Sequence, residues 1–408
     1  MTKKILCLAI SILMIFSLVG CNSNVVKIGE DKEYIISTTT SAYISIGKES
    51  DNKKLAKLIN LTELSLSSYG GYVIDLEYIS TLTNLNKLTL ANGNYGNLDK
   101  LSALTNLKQL KISDTNLSNY NFLENMPSLT SISFERTKIN ADELAVATNI
   151  EELSFTNTSI NNVASLSKLS TLKSLSFIDI KDSEGTSISE LKNIPNIEVL
   201  YLENTFYDDV FDIIQLKKLT MTNPGRLVLA DVEGIETMTN LEYLDLSGNQ
   251  IQSFKPLKPL TKLKYLNLDG NKTTKKNEHY MDISPLADMV MMEELHLNSV
   301  LPKSLSPIQN MTSLRVLDIS NNLMFINWEP ENCNLKYIEN LVNLEELYIQ
   351  NNNVKNIKPL YNLKKLCKLE MLSGNKISYD EAKALDEALP ELNIAGELNE
   401  YLLNQALR

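Results

Sequence analysis

The residues able to do acid–base, nucleophilic or metal chemistry are few. The 408-residue chain holds two histidines and four cysteines. His279 lies in a polar stretch beside Glu278 and Asp282. One imidazole and two carboxylates on so short a segment are too few fixed ligands for a closed metal site. His296 has no Ser or Cys at a nucleophile's spacing and is expected to face solvent or a partner. Asp269-Gly-Asn271 lacks the spaced acids of a calcium loop and reads as a turn. These residues predict no catalytic cluster, no metal and no cofactor.

A second kind of chemistry is better supplied, namely recognition. Tyr201, Tyr243, Tyr265 and Tyr348 recur in one pattern with Asp245, Asn267, Asp269, Glu294, His296, Asp318 and Glu346. Tyrosine offers a large contact area at low entropic cost and is enriched at interfaces. Mixed with acids, it favours a partner with a basic or a polar-apolar surface. The overall balance, 39 Lys+Arg against 50 Asp+Glu and a net charge of -11, is a poor match for nucleic acid. At 43% hydrophobic and 22% charged residues the chain is globular.

Such side chains act together only if a scaffold lines them up, and the sequence repeats one. From Leu61 it reads L-x-x-L-x-L again and again, as in Leu107-Lys-Gln-Leu110-Lys-Ile112 and Leu263-Lys-Tyr-Leu266-Asn-Leu268. The first Leu or Ile of each L-x-L core falls at 64, 88, 110, 132, 153, 175, 200, 219, 244, 266, 295, 317, 347 and 369. The commonest interval is 22 residues. Alternation within each core predicts a strand whose leucines point inward and whose flanking residues point outward. In the first six repeats the outward residues are mostly small, among them Ser65, Thr89, Ser131, Ser133, Ser154, Ser174 and Ser176; from the seventh they become the tyrosines and acids above.

These repeats resemble the leucine-rich repeats of the internalin type, most closely at Asn249-Gln-Ile251-Gln-Ser-Phe254-Lys-Pro-Leu257 and Asn352-Asn-Val354-Lys-Asn-Ile357-Lys-Pro-Leu360. The resemblance implies an α/β solenoid, a right-handed superhelix with parallel strands on its concave face and 3-10 turns on its convex face. It also implies protein recognition by the concave face. The family's asparagine after the strand, which hydrogen-bonds turn backbone inside the coil, is matched by Asn249, Asn271, Asn322 and Asn352; earlier repeats carry Thr115, Thr137, Thr158 and Thr205 there. Two repeats run long. One insertion brings Lys272, Lys275 and Lys276; the other brings Met324, Phe325 and Trp328, the only tryptophan, an anchor candidate on the rim. Cys333 and Cys367 fall on opposite sides of a coil and are not expected to pair.

The N-terminus carries a different signal. Lys3 and Lys4 precede an apolar run from Ile5 to Val19, which ends in Leu18-Val19-Gly20-Cys21. These four residues resemble the lipobox of bacterial lipoproteins. That resemblance implies cleavage before Cys21, a diacylglyceryl anchor on its sulfur and an added acyl chain such as palmitate. Loss of residues 1–20 leaves 37 Lys+Arg against 50 Asp+Glu, a net -13.

The expected organisation is a signal peptide over 1–20, a lipid-anchored tether over 21–33 and an N-terminal cap over 34–57. About fourteen repeats follow over 58–377, then a helical C-terminal cap over 378–408. In the N-terminal cap, 34–36 and 42–46 read as strands. In the C-terminal cap, Ser378 and Glu381 form a capping box opening a helix that Pro390 stops. Leu392 and Ile394 are expected in a last strand, and 397–407 in a closing helix. The functional expectation is a lipid-anchored protein on the extracellular face of a bacterial membrane, binding another protein without catalysis. An internalin-like adhesin engaging a host receptor, and a binder of envelope glycan or peptidoglycan, are the alternatives.

Overall fold

The computed structural model describes residues 24–29, 32–180, 189–205, 209–223, 229–271, 280–322, 335–371 and 373–392. They fall into two compact units, divided between Leu172 and Lys173. The leader, the lipidation candidate Cys21, the rim candidate Trp328, His279, Cys333 and the expected closing helix lie outside the described residues.

Each unit is built on parallel strands laid in sequence order. In the first, six run from Ser41–Ile46 to Glu152–Thr156; in the second, nine run from Ser174–Ile178 to Lys368–Glu370. Within each unit the leucine positions are in register. Leu64, Leu88, Leu110, Ile132 and Leu153 pair side by side in the first unit. Leu175, Leu200, Leu219, Leu244 and Leu266 do so in the second, followed by Leu295, Leu317, Leu347 and Leu369. None of these is more than 4% exposed. A buried Leu contributes about 2 kcal/mol, but only because the neighbouring repeat covers it.

Most strands are followed by a left-handed residue four places after the marker leucine. Asn92, Asp114, Arg136, Asn157, Asp179, Asn204, Gly248, Gly270, Ser299, Asn321 and Asn351 all have positive φ. Asn, Asp and Gly tolerate this conformation best. In the last repeat the left-handed residue is Gly374, five places after Leu369; the one extra residue there is taken up within the turn.

Below the turn runs the polar ladder expected of Asn and Thr. Asn249 Nδ2 donates to the carbonyls of Met221 (2.7 Å) and Leu246 (2.9 Å), and its Oδ1 accepts from the Leu229 amide. Asn271, Asn322 and Asn352 repeat the bonding, and Asn375 extends it to the last repeat. Thr115 donates its hydroxyl proton to the Gly93 carbonyl, and the Thr158 hydroxyl lies within reach of the Thr156 (3.0 Å) and Phe134 (3.2 Å) carbonyls. A second ladder was not anticipated. Asn60, Asn84, Asn106, Asn240 and Asn343 each donate Nδ2 to a carbonyl one repeat earlier, at 2.8–3.4 Å. Short 3-10 segments return the chain. Lys255–Leu257, Ser284–Leu286, Ser306–Ile308 and Lys358–Asn362 carry Pro in the first turn, where its missing N–H costs nothing.

At the N-terminus, Val25–Ile28 pairs antiparallel with Lys32–Ile35 as a separate hairpin, and Val26 and Ile28 are buried. The hairpin thus reaches into the segment assigned to the tether. Ser41–Ile46 opens the first unit's sheet against Glu63–Ser68. Asp51, fully buried, accepts from Lys54 Nζ (2.7 Å) and the Gly29 amide (3.2 Å). At the C-terminus the helix Tyr379–Ala388 forms as expected, with Ser378 Oγ accepting from the Glu381 amide. The expected strand at Leu392 does not form. Pro390–Leu392 is a 3-10 turn that tucks Leu392 under the helix end, because proline cannot donate to a strand ladder.

Candidate recognition surface

On the open face of the second unit's sheet, two rows of side chains run across the strands. One row reads Ser176, Tyr201, Thr220, Asp245, Asn267, His296, Asp318, Tyr348, Glu370; the other reads Ser174, Val199, Lys218, Tyr243, Tyr265, Glu294, Val316, Glu346, Lys368. The short i, i+2 strands place Tyr201, Tyr243, Asp245, Tyr265, Asn267, His296, Asp318 and Tyr348 on this face; Asp269 reaches it from the following turn, and all of them are half-buried.

The structure gathers part of the set and separates the rest. Tyr243 and Tyr265 sit directly opposite each other and stack, centroids 4.1 Å apart and planes 6° apart. His296 continues the group, 5.5 Å from the Tyr265 ring and tilted 44°. Asp245, Asn267, Asp269 and Asp318 border it. Asn267 Nδ2 reaches Asp245 Oδ2 at 3.5 Å. Tyr201 and Tyr348 stand apart, each bound to its own carboxylate: Tyr201 to Glu203 (2.5 Å) and Tyr348 to Glu346 (2.6 Å). Lys368 Nζ also lies 4.8 Å over the Tyr348 ring, a cation–π contact.

The acids also hold the backbone. Asp245, Asn267 and Asp318 each accept, through Oδ1, from the amide two residues on. Asp269 accepts from the Asn298 amide of the next repeat at 2.7 Å, while the Gly270 amide donates back to the Asn298 carbonyl. Burial pushes the Asp269 carboxyl up to about 6; the Asn298 amide opposes the shift, and Asp318 and Asp245 add to it. Burial raises Tyr201 to about 12, with Glu203 reinforcing it, and also raises Tyr243 and Tyr265. The tyrosines therefore work as neutral hydrogen-bonding rings.

One grouping was missed. Single ligand atoms of Asp269, His296 and Asp318 all lie within 4.8 Å of one another. The sequence sets His296 and Asp318 on the face one by one and gives Asp269 both as a turn residue and as one of the outward set, without joining the three. Asp269 is a turn residue brought back over them. In the first unit the small-residue expectation is broken by Lys111, which pairs with Glu135; Arg136 bridges Glu135 and Asp114 (2.6 Å). A shallow depression there, lined by Tyr69, Gly70, Gly71, Asn92 and Asp114 among others, holds no free acid–base pair, since Asp114 is engaged by Arg136.

Strand register, turn and asparagine ladder define a leucine-rich-repeat fold. Residues 239–278 match the family model described as leucine-rich repeats, two copies. Among solved structures the chain is similar to the leucine-rich-repeat protein LIC12759 of Leptospira interrogans, at 22% identity and TM-score 0.56, over 87% of this chain and 93% of that one. It is similar to an internalin (inlF) of Listeria monocytogenes, at 21% identity and TM-score 0.48, over 84% and 91%. It is also similar to TLR13 in a complex with ssRNA13, at 20% identity and TM-score 0.53, over 83% of this chain and 51% of that one, so it spans about half the TLR13 chain. No curated protein sequence matches it. The leucine-rich-repeat solenoid read from the sequence holds as the fold.

Proposed function

We propose that the protein recognises another protein, without catalysis, through the open sheet face of its second unit. The observation that carries this reading is the contiguous Tyr243–Tyr265–His296 group bordered by Asp245, Asp269 and Asp318. Interface energy concentrates in a few aromatic anchors surrounded by polar groups, and among the described residues this is the one such group on that face. The surrounding acids favour a basic partner surface and oppose a polyanion, as does the net charge of -11. That one similar structure holds RNA is a property of TLR13.

The same proposal places the protein at the outer face of a bacterial membrane, anchored through Cys21. Lys3, Lys4, the apolar run and Leu18-Val19-Gly20-Cys21 support it. Two experiments test the reading. Wild-type protein and a Tyr243→Ala/Tyr265→Ala variant serve as paired baits against bacterial envelope extract, host lysate and a glycan array. A protein held by the first and lost by the second supports it; a ligand held equally by both overturns the assigned surface, and a glycan lost by the second overturns the ligand class. Labelled palmitate incorporation in Cys21→Ala cells should vanish, and unchanged incorporation would refute the anchor.

A further inference from the structure

We propose that Asp269, His296 and Asp318 form a binding site for a divalent transition ion of zinc's kind. The three residues come from three successive repeats. His296 and Asp318 are direct cross-strand partners, and Asp269 leans over them from the turn after Tyr265–Asn267. One nitrogen or oxygen from each lies within 4.8 Å of the other two.

Their neighbours hold them in place. Asp269 Oδ1 is fixed by the Asn298 amide at 2.7 Å. Asp318 Oδ1 is fixed by the Ser320 amide at 2.8 Å and its hydroxyl at 2.6 Å. Among the described residues no hydrogen bond reaches the second oxygen of either carboxylate or a ring nitrogen of His296. The Tyr265 ring lies against the imidazole and limits its rotation. Two carboxylates facing each other on a half-buried surface, with Asp245 near, repel; a dication between them turns that repulsion into attraction.

The donor set selects the ion. One imidazole and two carboxylates suit zinc and its neighbours in the first transition row, whereas calcium takes six to eight oxygens. Zinc bonds of about 2.0–2.2 Å put tetrahedral ligand atoms about 3.4 Å apart. Closing on the ion therefore asks for side-chain shifts of about 1 Å and no backbone movement. Three protein ligands leave a fourth position open on the sheet face, for water or a partner's donor group. An ammonium group would use the carboxylates but not the imidazole lone pair.

The test is isothermal titration of the full chain, stripped with EDTA, against zinc chloride and separately calcium and magnesium chloride. Zinc should bind one per chain with Kd at or below about 10 μM, and the other two should not saturate at millimolar concentration. His296→Ala and Asp318→Asn should each weaken zinc at least about tenfold. Asn keeps an oxygen for the Ser320 amide, so that variant preserves the turn. His279→Ala is the control for zinc held by the chain's other histidine. Zinc binding no tighter than calcium, undiminished zinc affinity in both site variants, or a loss only in His279→Ala overturns the site. The titration needs no partner, so it stands or falls apart from the recognition reading.

Discussion

Tyr243 and Tyr265 are cross-strand neighbours whose rings stack 4.1 Å apart, nearly parallel at 6°. A parallel sheet sets its strands about 4.8 Å apart, so the rings fill the whole gap and each shields one face of the other. Aromatic pairs contribute about 0.5–1.5 kcal/mol beyond their buried area. A double-mutant cycle on folding stability should return a coupling of about 1 kcal/mol between Tyr243→Ala and Tyr265→Ala. Against a captured partner, either variant should lose at least about tenfold in affinity, roughly 1.4 kcal/mol. Ser154→Ala and Ser176→Ala should leave affinity unchanged. Titration calorimetry decides, and a loss confined to the serine variants would move the interface.

Leu244 is fully buried and paired to Leu219 and Leu266 on either side. Leu244→Asp places an unpaired carboxylate among leucines and should cost about 4 kcal/mol or more. The control must be a lysine free of partners. Lys264 is unsuitable because it pairs with Glu242 at 2.8 Å, and an aspartate there would face that glutamate. Lys258 is exposed, and Lys258→Asp should stay within about 0.5 kcal/mol of wild type. Equal urea midpoints for the two variants would mean that the repeat register is wrong.

The leucine period was legible because a buried repeat leaves no freedom at its marker positions: the five of the first unit and the nine of the second align as spaced within each unit, even across the short interval from Leu200 to Leu219. Asn249, Asn322 and Asn352 were legible for the same reason, since a buried turn carbonyl demands a donor. What escaped depends on turns. Asp269 lies beyond its strand, and strand alternation says nothing about where a turn residue leans; the Asn298 amide decides that. The pairing of Lys111 with Glu135 and of Arg136 with Asp114 leaves no local signal in the sequence because it joins residues one repeat apart. Leu392 looked like a strand residue because hydrophobic alternation was weighed above Pro390. Val25 to Ile28 looked like tether because four alternating residues carry little signal without the hairpin partner at Lys32–Ile35.

Arg136 occupies a left-handed turn position, φ 48°, where Asn or Gly would be at ease. Its side chain bridges Asp114 and Glu135. The bond from Arg136 holds the Asp114 carboxyl below its ordinary value, and Lys111, then Arg136, do the same for Glu135. A carboxyl lowered by folding adds stability above its unfolded pKa of about 4, and the gain disappears as pH falls through the folded value. Arg136→Gln should therefore be less stable than wild type at pH 7 and indistinguishable from it at pH 2. The groups are mostly exposed, so the difference should be small and should shrink in 1 M salt. Paired urea melts at the two pH values measure it, and a gap that persists at pH 2 would assign the effect to the turn rather than to the ion pairs.

Asn352 closes three hydrogen bonds inside the coil. Its Nδ2 donates to the carbonyls of Ile319 (2.6 Å) and Ile349 (3.1 Å), and its Oδ1 accepts from the Asn322 amide (2.9 Å). The residue is 2% exposed, so water does not replace a lost partner. Asn352→Leu keeps the volume but leaves the Asn322 amide without its acceptor, while the Ile319 and Ile349 carbonyls keep one donor each, Asn322 Nδ2 (2.7 Å) and Asn375 Nδ2 (2.8 Å), for a loss of about 2 kcal/mol. Asn352→Thr should cost less. The hydroxyls of Thr115 and Thr158 already serve carbonyls at this ladder position in the first unit, and one hydroxyl both donates and accepts. The expected order of stability is wild type, then Thr, then Leu. Were hydrophobic packing the main work of the position, Leu would match or exceed Thr, because it buries more apolar surface. Urea unfolding of the three proteins separates the two accounts by the order of their midpoints alone.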